Sequence, residues 1–290
     1  MIIVNLTGGL GNQMFQYAIG RYLSIKNKTS LKLHFTNALF ATQRSFSLGH
    51  FDIKAEIATE KELKSMGILQ NRTLNRVTYL LEQRLGIKLN KNIVTEQSQV
   101  YDTRVLNSPK NTYLQGYWQS PSYFQKINSQ IRKDFVFTKS MNSTNVKISK
   151  LIKNSNSVSV HIRRGDYLTD ASVKKTFPSM SEGYYKSGMK IIEKQIKTPT
   201  YFVFSDDMDW ARSNILSSHK IYFVSHNRGK LAYEDMRLIS LCKHNIISNS
   251  TFSWWGAFLS INKNKIIIAP RKWSGTELGR DLVLKDWIKI

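Results

Sequence analysis

The stretch VSVHIRRGDY occupies residues 158–167 and decides how the surrounding sequence folds. Alternating β-branched and small residues predict a strand at its start, and Gly165 predicts the end of that strand. Strand geometry places His161 and Arg163 on one face and Arg164 on the other. Because arginine presents a rigid fork of N–H donors, this strand end suits a phosphate; the alternative is two solvated arginines with an acidic partner.

The sequence after this stretch alternates between strand and helix signals. Helical stretches lie at Tyr184–Gln195 and Tyr233–Lys243. Further strands are predicted for the short apolar runs at 201–204, 221–224, 245–247 and 266–268. This order predicts a parallel, doubly wound α/β sheet in the C-terminal half.

The N-terminal half begins with a strand, a tight turn and a helix. Residues 2–5 are a β-branched run, residues 7–11 contain three glycines, and apolar residues then recur at helical spacing. From about residue 59 to residue 89 the pattern is helical and rich in cations, which predicts a helical insert.

A polar stretch rich in Ser, Asn and Lys covers residues 138–157 and predicts a linker between two domains. We therefore expect an N-terminal domain over residues 1–145 and a C-terminal domain over residues 146–290.

Composition narrows the classes of protein that fit. The chain has 290 residues and a formal net charge of +23, which predicts an anionic partner: nucleic acid, a membrane face or a phosphorylated ligand. With 41% hydrophobic residues, it is not a disordered basic tail. The single Cys242 excludes intrachain disulfides and multi-cysteine metal sites. Since neither an export signal nor an apolar run of about 18 residues is present, we expect a cytoplasmic protein.

The glycine-rich turn before the first helix is a candidate ligand site. Gly9 and Gly11 allow backbone N–H groups to approach a ligand, and Asn12 and Gln13 indicate a polar one. The turn is not a dinucleotide fingerprint, because Met14 stands where the third glycine belongs. The alternative is a plain connection between strand and helix.

A second candidate is the acidic run after the strand at 201–204. Asp207 and Asp209 have the spacing of a carboxylate pair that holds Mg²⁺ or Mn²⁺ under a nucleotide diphosphate. The alternative is that Ser205 or Asp206 caps the helix that follows. We favour the cap, because the sequence that follows is helical.

A third candidate is the stretch SNSTFSWWG over residues 248–256. A predicted strand there delivers hydroxyl and amide side chains to a turn, and a helix begins at once. Such a helix start binds anions. Trp254 and Trp255 are expected in the core whatever the function.

Four motifs together resemble the bacterial α-1,2-fucosyltransferases of glycosyltransferase family 11. They are MIIVNLTGGLGNQMFQYAIGRYLS at 1–24, VSVHIRRGDY at 158–167, YFVFSDDMDW at 201–210 and MRLISLCKHNIISNSTFSWWGAFLS at 236–260. The resemblance implies a GT-B fold, with two Rossmann-like domains facing a cleft. It implies that the C-terminal domain binds most of GDP-fucose and that the acceptor sugar faces the N-terminal domain. It also implies transfer of L-fucose from GDP-β-L-fucose to the 2-hydroxyl of a galactoside, with inversion to an α-1,2 link and without metal or cofactor.

The resemblance also implies roles for individual residues. Arg163 would hold the β-phosphate, with His161 beside it and Arg164 supporting the loop. The other donor-binding residues would be Gly9, Gly11, Asn12, Gln13, Asp235, Ser250, Thr251 and Ser253, with Asp235 facing the guanine. The reaction needs a base for the acceptor hydroxyl, for which Asp166 is the first candidate and Asp170 the second.

Two alternatives stay open: a metal-dependent nucleotide-sugar transferase that uses Asp207 and Asp209, and a basic RNA-binding module. The expected acceptor is a galactose-terminated glycan, carried on a lipid during synthesis of an O-antigen type of surface polysaccharide. A bound GDP-sugar carries only about two negative charges, so most of the +23 charge predicts peripheral attraction to the anionic inner face of the cytoplasmic membrane.

Overall fold

The computed structural model describes residues 1–35, 46–68, 90–98, 100–169, 171–277 and 279–290. Two parallel sheets organise two units of the chain, Met1–Val136 and Phe137–Ile290. No helix among the described residues combines the length and hydropathy needed to span a bilayer.

The first unit contains a five-stranded sheet in the order β3–β2–β1–β5–β4, with every pairing parallel. Its strands are β1 (Ile2–Leu6), β2 (Leu31–Phe35), β3 (Glu56–Ile57), β4 (Ile93–Thr95) and β5 (Thr112–Gln115). The helices are α1 (Leu10–Lys26), α2 (Glu60–Ser65) and α3 (Asn128–Asp134). Since β2 and β5 lie on opposite sides of β1, the strand order reverses between β1 and β5. This reversal is the switch point of the first sheet.

The predicted N-terminal strand and helix are confirmed. All five residues of β1 are buried, and α1 begins directly after Gly9. Helix α1 lies very close to the sheet, because a Cβ at Gly20 would overlap Val4 Cγ2. The helix is tied to α3 by a 2.7 Å hydrogen bond that Tyr17 Oη donates to Asp134 Oδ2.

Helix α2 begins inside the predicted helical insert. Thr59 and Glu62 form a reciprocal capping box at its start. Leu63 and Met66 pack beside Ile3 of β1, so this part of the insert contributes to the core. The rest of the predicted insert, residues 69–89, lies outside the described residues.

The second unit contains a six-stranded sheet in the order β11–β10–β9–β6–β7–β8, again with parallel pairings throughout. The strands are β6 (Asn156–Ile162), β7 (Pro199–Ser205), β8 (Ile221–Val224), β9 (His244–Ile246), β10 (Ile267–Ala269) and β11 (Ile288–Lys289). The helices are α4 (Ser143–Lys153), α5 (Gly165–Thr169), α6 (Ala171–Thr176), α7 (Glu182–Gln195), α8 (Met208–Asn214), α9 (Ala232–Leu241) and α10 (Thr251–Leu259). The predicted alternation of strand and helix is confirmed. Its switch point lies between β6 and β9.

The predicted linker over residues 138–157 is wrong. Helix α4 occupies most of it, with Asn142 capping its start through a 2.8 Å hydrogen bond from Asn145 N. Ile152 of α4 is fully buried in the core with Leu238 of α9. The two units divide between Val136 and Phe137, nine residues before the predicted boundary at 145. The polar composition concealed a helix that packs mainly through Ile148 and Ile152, while Val146 and Leu151 stay exposed.

Candidate active site

Three loops lie side by side at the carboxyl edge of the second sheet, because β9, β6 and β7 are neighbours. The loop after β6 carries Arg163 and Arg164, the loop after β7 carries Asp206 and Asp207, and residues 247–250 follow β9. In sheets of this topology, ligands bind at the switch point, here between β6 and β9. The topology therefore brings the predicted basic and hydroxyl motifs together.

His161 joins the two strands that flank the switch point. Its Nδ1 lies 3.0 Å from Ser248 Oγ, and its ring centroid lies 5.5 Å from that of Phe252. Burial, with a smaller contribution from the charge of Arg163, lowers the pKa of His161 to about 3. The imidazole is therefore neutral at physiological pH and acts as a hydrogen-bonding group rather than as a cation.

Arg163 lies at this edge and keeps part of its side chain exposed. Its Nη1 is 2.9 Å from Asp206 Oδ2, and 28% of the side chain remains accessible. The other oxygen of Asp206 accepts a 2.8 Å hydrogen bond from Arg164 N. One carboxylate therefore holds both the guanidinium and the backbone of this loop, which orients Arg163 before any ligand binds.

Arg164 is held on protein groups. Its Nε donates to Asp207 Oδ2 at 3.0 Å, and its guanidinium carbon lies 4.2 Å from the ring centroid of Trp210. The other oxygen of Asp207 accepts from Trp210 N and caps α8. The residue that caps α8 is Asp207, whereas the sequence predicts Ser205 or Asp206.

These contacts occupy both oxygens of Asp207, one of the two carboxylates of the metal-dependent alternative. Among the residues that the structure describes, no three His, Cys, Asp or Glu side chains are grouped to hold a metal ion.

The loop after β9 leads directly into α10. Ser250 precedes the first helical residue, and Thr251 is half-buried at that first position. Ser253 is fully buried, and its Oγ donates to Ser250 O at 3.2 Å. Its hydroxyl braces the start of the helix, and the donor contact of Ser253 stays a prediction. Trp254 and Trp255 are fully buried, as expected.

Asn249 organises this loop and was not singled out from the sequence. Its Nδ2 donates to Pro178 O at 2.9 Å and to Trp273 O at 3.1 Å. Its backbone carbonyl oxygen accepts a 2.9 Å hydrogen bond from Tyr167 Oη. The SNSTFS motif signals a polar loop. It does not reveal that the asparagine faces inward, because its partners are distant in sequence.

Asp235 lies in a cluster of amides. Its Oδ1 accepts a 2.8 Å hydrogen bond from Asn227 Nδ2, and Asn227 exchanges hydrogen bonds of 2.9 and 3.0 Å with Asn145 of α4. Burial raises the pKa of Asp235 to about 7, the bond from Asn227 opposes this shift, and Glu234 adds to it. The helix that replaces the predicted linker therefore orients a predicted donor-binding residue.

The two candidate bases remain predictions. Asp166 lies in α5, which begins at Gly165, directly after Arg164. Its side chain and the whole of Asp170 lie outside the described residues.

The glycine turn of the first unit is braced by amides. Gly8 has a φ of +74°, and Gly9 caps α1. Gln13 is fully buried: its Nε2 donates to Gly8 O at 3.0 Å and its Oε1 accepts from Ser47 N at 2.9 Å. The side chain of Gln13 is therefore hydrogen-bonded inside the protein, and its donor contact stays a prediction. Asn12 Oδ1 accepts from Gln119 Nε2 at 3.1 Å.

The profile described as Glycosyl transferase family 11 matches residues 1–290. The Escherichia coli O-antigen biosynthesis glycosyltransferase WbnK is 34% identical over 304 residues, covering 98% of this chain and 99% of that protein. An Escherichia coli alpha-1,2-colitosyltransferase is 33% identical over 299 residues, covering 100% of this chain and 99% of that protein. The galactoside alpha-(1,2)-fucosyltransferase 1 of Leontocebus fuscicollis is 26% identical over 155 residues, covering 51% and 42% of the two chains.

Among solved structures, a mutant of Arabidopsis thaliana FUT1 in complex with GDP aligns with a TM-score of 0.50 at 11% identity. The alignment covers 95% of this chain and 72% of that one. This likeness concerns the fold alone. Together with the two parallel α/β sheets, it identifies the GT-B fold.

Proposed function

Because the chain belongs to glycosyltransferase family 11, we propose that it transfers L-fucose from GDP-β-L-fucose to the 2-hydroxyl of a galactoside, forming an α-1,2 link with inversion. The observation that carries this proposal is Arg163. Asp206 orients it at the carboxyl edge of the second sheet, in the loop that follows neutral His161. This edge suits the diphosphate of a nucleotide-sugar.

Negative charge develops on the diphosphate as the sugar leaves, so groups aimed at that charge lower the barrier. At about 4 Å and an effective dielectric constant near 20, one unit-charge contact is worth roughly 4 kcal/mol before desolvation. The backbone N–H groups at the start of α10, near Ser250 and Thr251, add a second source of positive potential. Neither source requires a metal ion.

Asp235 supports recognition of the guanine base. An ionised carboxylate accepts hydrogen bonds from the N–H groups on one edge of guanine, and Asn227 fixes one Asp235 oxygen in place. We also assign donor contacts to Gly9, Gly11, Asn12 and Gln13 of the first unit. We assign the base for the acceptor hydroxyl to Asp166, with Asp170 as the second candidate.

Colitosyl transfer is a second candidate function, favoured by the colitosyltransferase that is 33% identical along the whole chain. Colitose lacks the 3-hydroxyl of fucose, so the same diphosphate site serves both donors. The test is GDP release from GDP-fucose and GDP-colitose with a galactoside acceptor, followed by determination of the product linkage. We expect GDP-fucose to be the better donor and the product to be α-1,2-linked; a preference for GDP-colitose would contradict the donor assignment.

Metal independence has its own test. Activity should survive EDTA, because we assign charge stabilisation to Arg163 and the α10 start. Loss of activity on chelation and recovery with Mn²⁺ would favour the metal-dependent alternative. The match to family 11 leaves the RNA-binding alternative without support.

The excess positive charge and the acceptor are both explained by binding to an anionic membrane. We assign the acceptor to a lipid-linked, galactose-terminated glycan of O-antigen type, met at the inner face of the cytoplasmic membrane. Helix α4 contains no acidic residue and exposes Lys147, Lys150 and Lys153. Each such cation adds about 1 kcal/mol of attraction near an anionic surface. We expect the protein to sediment with anionic liposomes at low salt and not with neutral ones; failure to do so would contradict the membrane assignment.

A further inference from the structure

The carboxyl edge of the first sheet carries a second set of loops at its switch point, and apart from Glu96 the side chains described in these loops are uncharged. Residues 7–9 follow β1, residues 116–120 follow β5 and residues 96–98 follow β4. None of these described residues is a lysine or an arginine. They offer glycines, amides, hydroxyls and the aromatic rings of Tyr117 and Trp118. An uncharged ligand rich in hydroxyl groups fits such an edge better than a diphosphate does.

The turn over residues 116–119, here called the acceptor turn, is strained. Trp118 has a φ of +56°, a conformation that a bulky residue rarely adopts. Its side chain is almost fully buried, and its Nε1 has no hydrogen-bond partner among the described residues. Backbone strain of this kind persists where the surroundings enforce it, and it is common where a loop positions a ligand.

The half-buried carboxylate of Glu96 enforces this conformation. Its Oε2 accepts a 2.7 Å hydrogen bond from Tyr117 N, and its Oε1 accepts a 3.0 Å bond from Trp118 N. Gly116 lies so close that a Cβ there would overlap Glu96 Cβ. Burial raises the pKa of Glu96 to about 7, and the two N–H donors oppose the shift. Binding the turn therefore removes part of the water around the carboxylate, and the two N–H groups compensate for part of that loss.

The acceptor turn is also tied to the glycine turn after β1. Gln16 Nε2 donates to Gly116 O at 2.9 Å, while Gln16 Oε1 accepts from Thr7 N at 3.0 Å. At the far end of the turn, Gln119 Nε2 donates to Asn12 Oδ1 at 3.1 Å. The turn thus ends on a residue assigned above to the donor. The acceptor hydroxyl must lie next to the donor sugar for transfer to occur.

We propose that Glu96 is a positioning residue for the acceptor. Its carboxylate holds the acceptor turn so that the ring of Tyr117 and the amide of Gln119 bind the galactoside beside Asn12. This inference rests on the proposed function. Tyr117 keeps part of its surface exposed, as an aromatic platform for a sugar requires.

The test is the Glu96→Gln variant of the full chain, with GDP release measured with and without a galactoside acceptor. The amide keeps the shape of the side chain but cannot accept from both N–H groups, so the acceptor KM should rise roughly tenfold or more. The donor KM and the slow GDP release without acceptor should stay within about twofold of wild type, because Arg163 and its loop are untouched.

A matched control is Asp134→Asn, which also removes a buried carboxylate of the first unit. Asp134 accepts from Tyr17, Arg21 and Gln130, away from the acceptor turn. It should lower the melting temperature without changing the acceptor KM. Equal changes in acceptor KM for the two variants would overturn the inference, because they would reflect a general loss of stability.

A second variant covers the case in which Glu96→Gln does not fold. Gln119→Ala leaves the carboxylate in place and removes the amide at the end of the turn, so it should also raise the acceptor KM. An unchanged acceptor KM in a folded Glu96→Gln or in Gln119→Ala overturns the inference alone. If the wild type releases no GDP from GDP-fucose with or without acceptor, the proposed function fails, and this inference fails with it.

Discussion

The two sheets of this chain have their switch points in equivalent places, but the side chains there differ in kind. In the second unit, Arg163 and Arg164 follow β6, and acidic residues hold both arginines. In the first unit, glycines and amides follow β1, and the acidic residue there, Glu96, binds backbone N–H groups instead. The topology therefore determines where a ligand binds, while the local side chains determine its charge.

The same difference separates two uses of a carboxylate. Asp206 is partly exposed and orients a cation that we assign to the donor. Glu96 is half-buried and stabilises a strained turn that we assign to the acceptor. If this assignment is correct, changes at the second sheet should affect the donor, and changes at the first sheet should affect the acceptor.

The largest effect should come from Arg163→Ala. Removal of the oriented cation should lower kcat by about 10²–10³-fold, because the leaving diphosphate loses its main stabilising contact. The measurement is GDP release with a galactoside acceptor. Arg280→Ala, a change at a largely exposed arginine of the same unit, is the control and should keep full activity. Turnover retained by a folded Arg163→Ala would contradict the site assignment.

A smaller loss is expected for Asp206→Asn. The variant keeps the shape of the side chain but weakens the 2.9 Å contact to Arg163, so the guanidinium loses its orientation. We expect kcat/KM for GDP-fucose to fall roughly tenfold to a hundredfold, a range typical of residues that orient a binding group. An acceptor KM that changes more than the donor KM would contradict the assignment of Asp206 to the donor edge.

Replacement of two glycines by alanine should change the free energy of unfolding in opposite directions. Gly8→Ala places a Cβ at a φ of +74° and 2.5 Å from Asn12 Nδ2, so the free energy of unfolding should fall by about 1–2 kcal/mol. Gly183→Ala is the control: it lies in α7 with its nearest neighbour, Ser181 Oγ, at 3.7 Å, and should stabilise by about 0.5–1 kcal/mol. Chemical denaturation of both variants checks this contrast. Equal effects would show that the glycine turn is not strained.

The smallest effect is a pH dependence of stability at Asp235. Folding raises the pKa of this carboxyl to about 7, so the folded state binds more protons than the unfolded state between about pH 4 and pH 7. The stability that Asp235 contributes should therefore decline as pH rises through this window. Relative to Asp235→Asn, the wild-type melting temperature should fall between pH 4 and pH 7. A difference that does not vary with pH would contradict the shift.

Much of the fold could be predicted because its signals are local. The β-branched run at 2–5, the helical spacing after Gly11 and the alternation at 158–162 each reflect backbone geometry over a few residues. Helix α4 was not predicted, because its four apolar residues are scattered among Ser, Asn, Thr and Lys. Only packing against the core distinguishes such a helix from a linker.

The site could be predicted in composition but not in detail. The motifs located Arg163 and the SNSTFS loop, yet Gln13 and Ser253 turned out to be internal braces. Whether a polar side chain faces a ligand or the protein depends on its partners. Pattern and spacing do not contain that information for residues far apart in sequence.

The sequence by itself determined the parallel α/β class, the cationic strand end and the family, because strand periodicity, glycine turns and motif order are written locally along the chain. The tertiary structure alone decided which groups act together. His161 meets Ser248 across 87 residues and Arg164 meets Asp206 across 42, since adjacent strands of a parallel sheet are distant in sequence. The same folding buries Glu96 under the Tyr117–Trp118 turn, and burial is what changes the chemistry of a carboxylate.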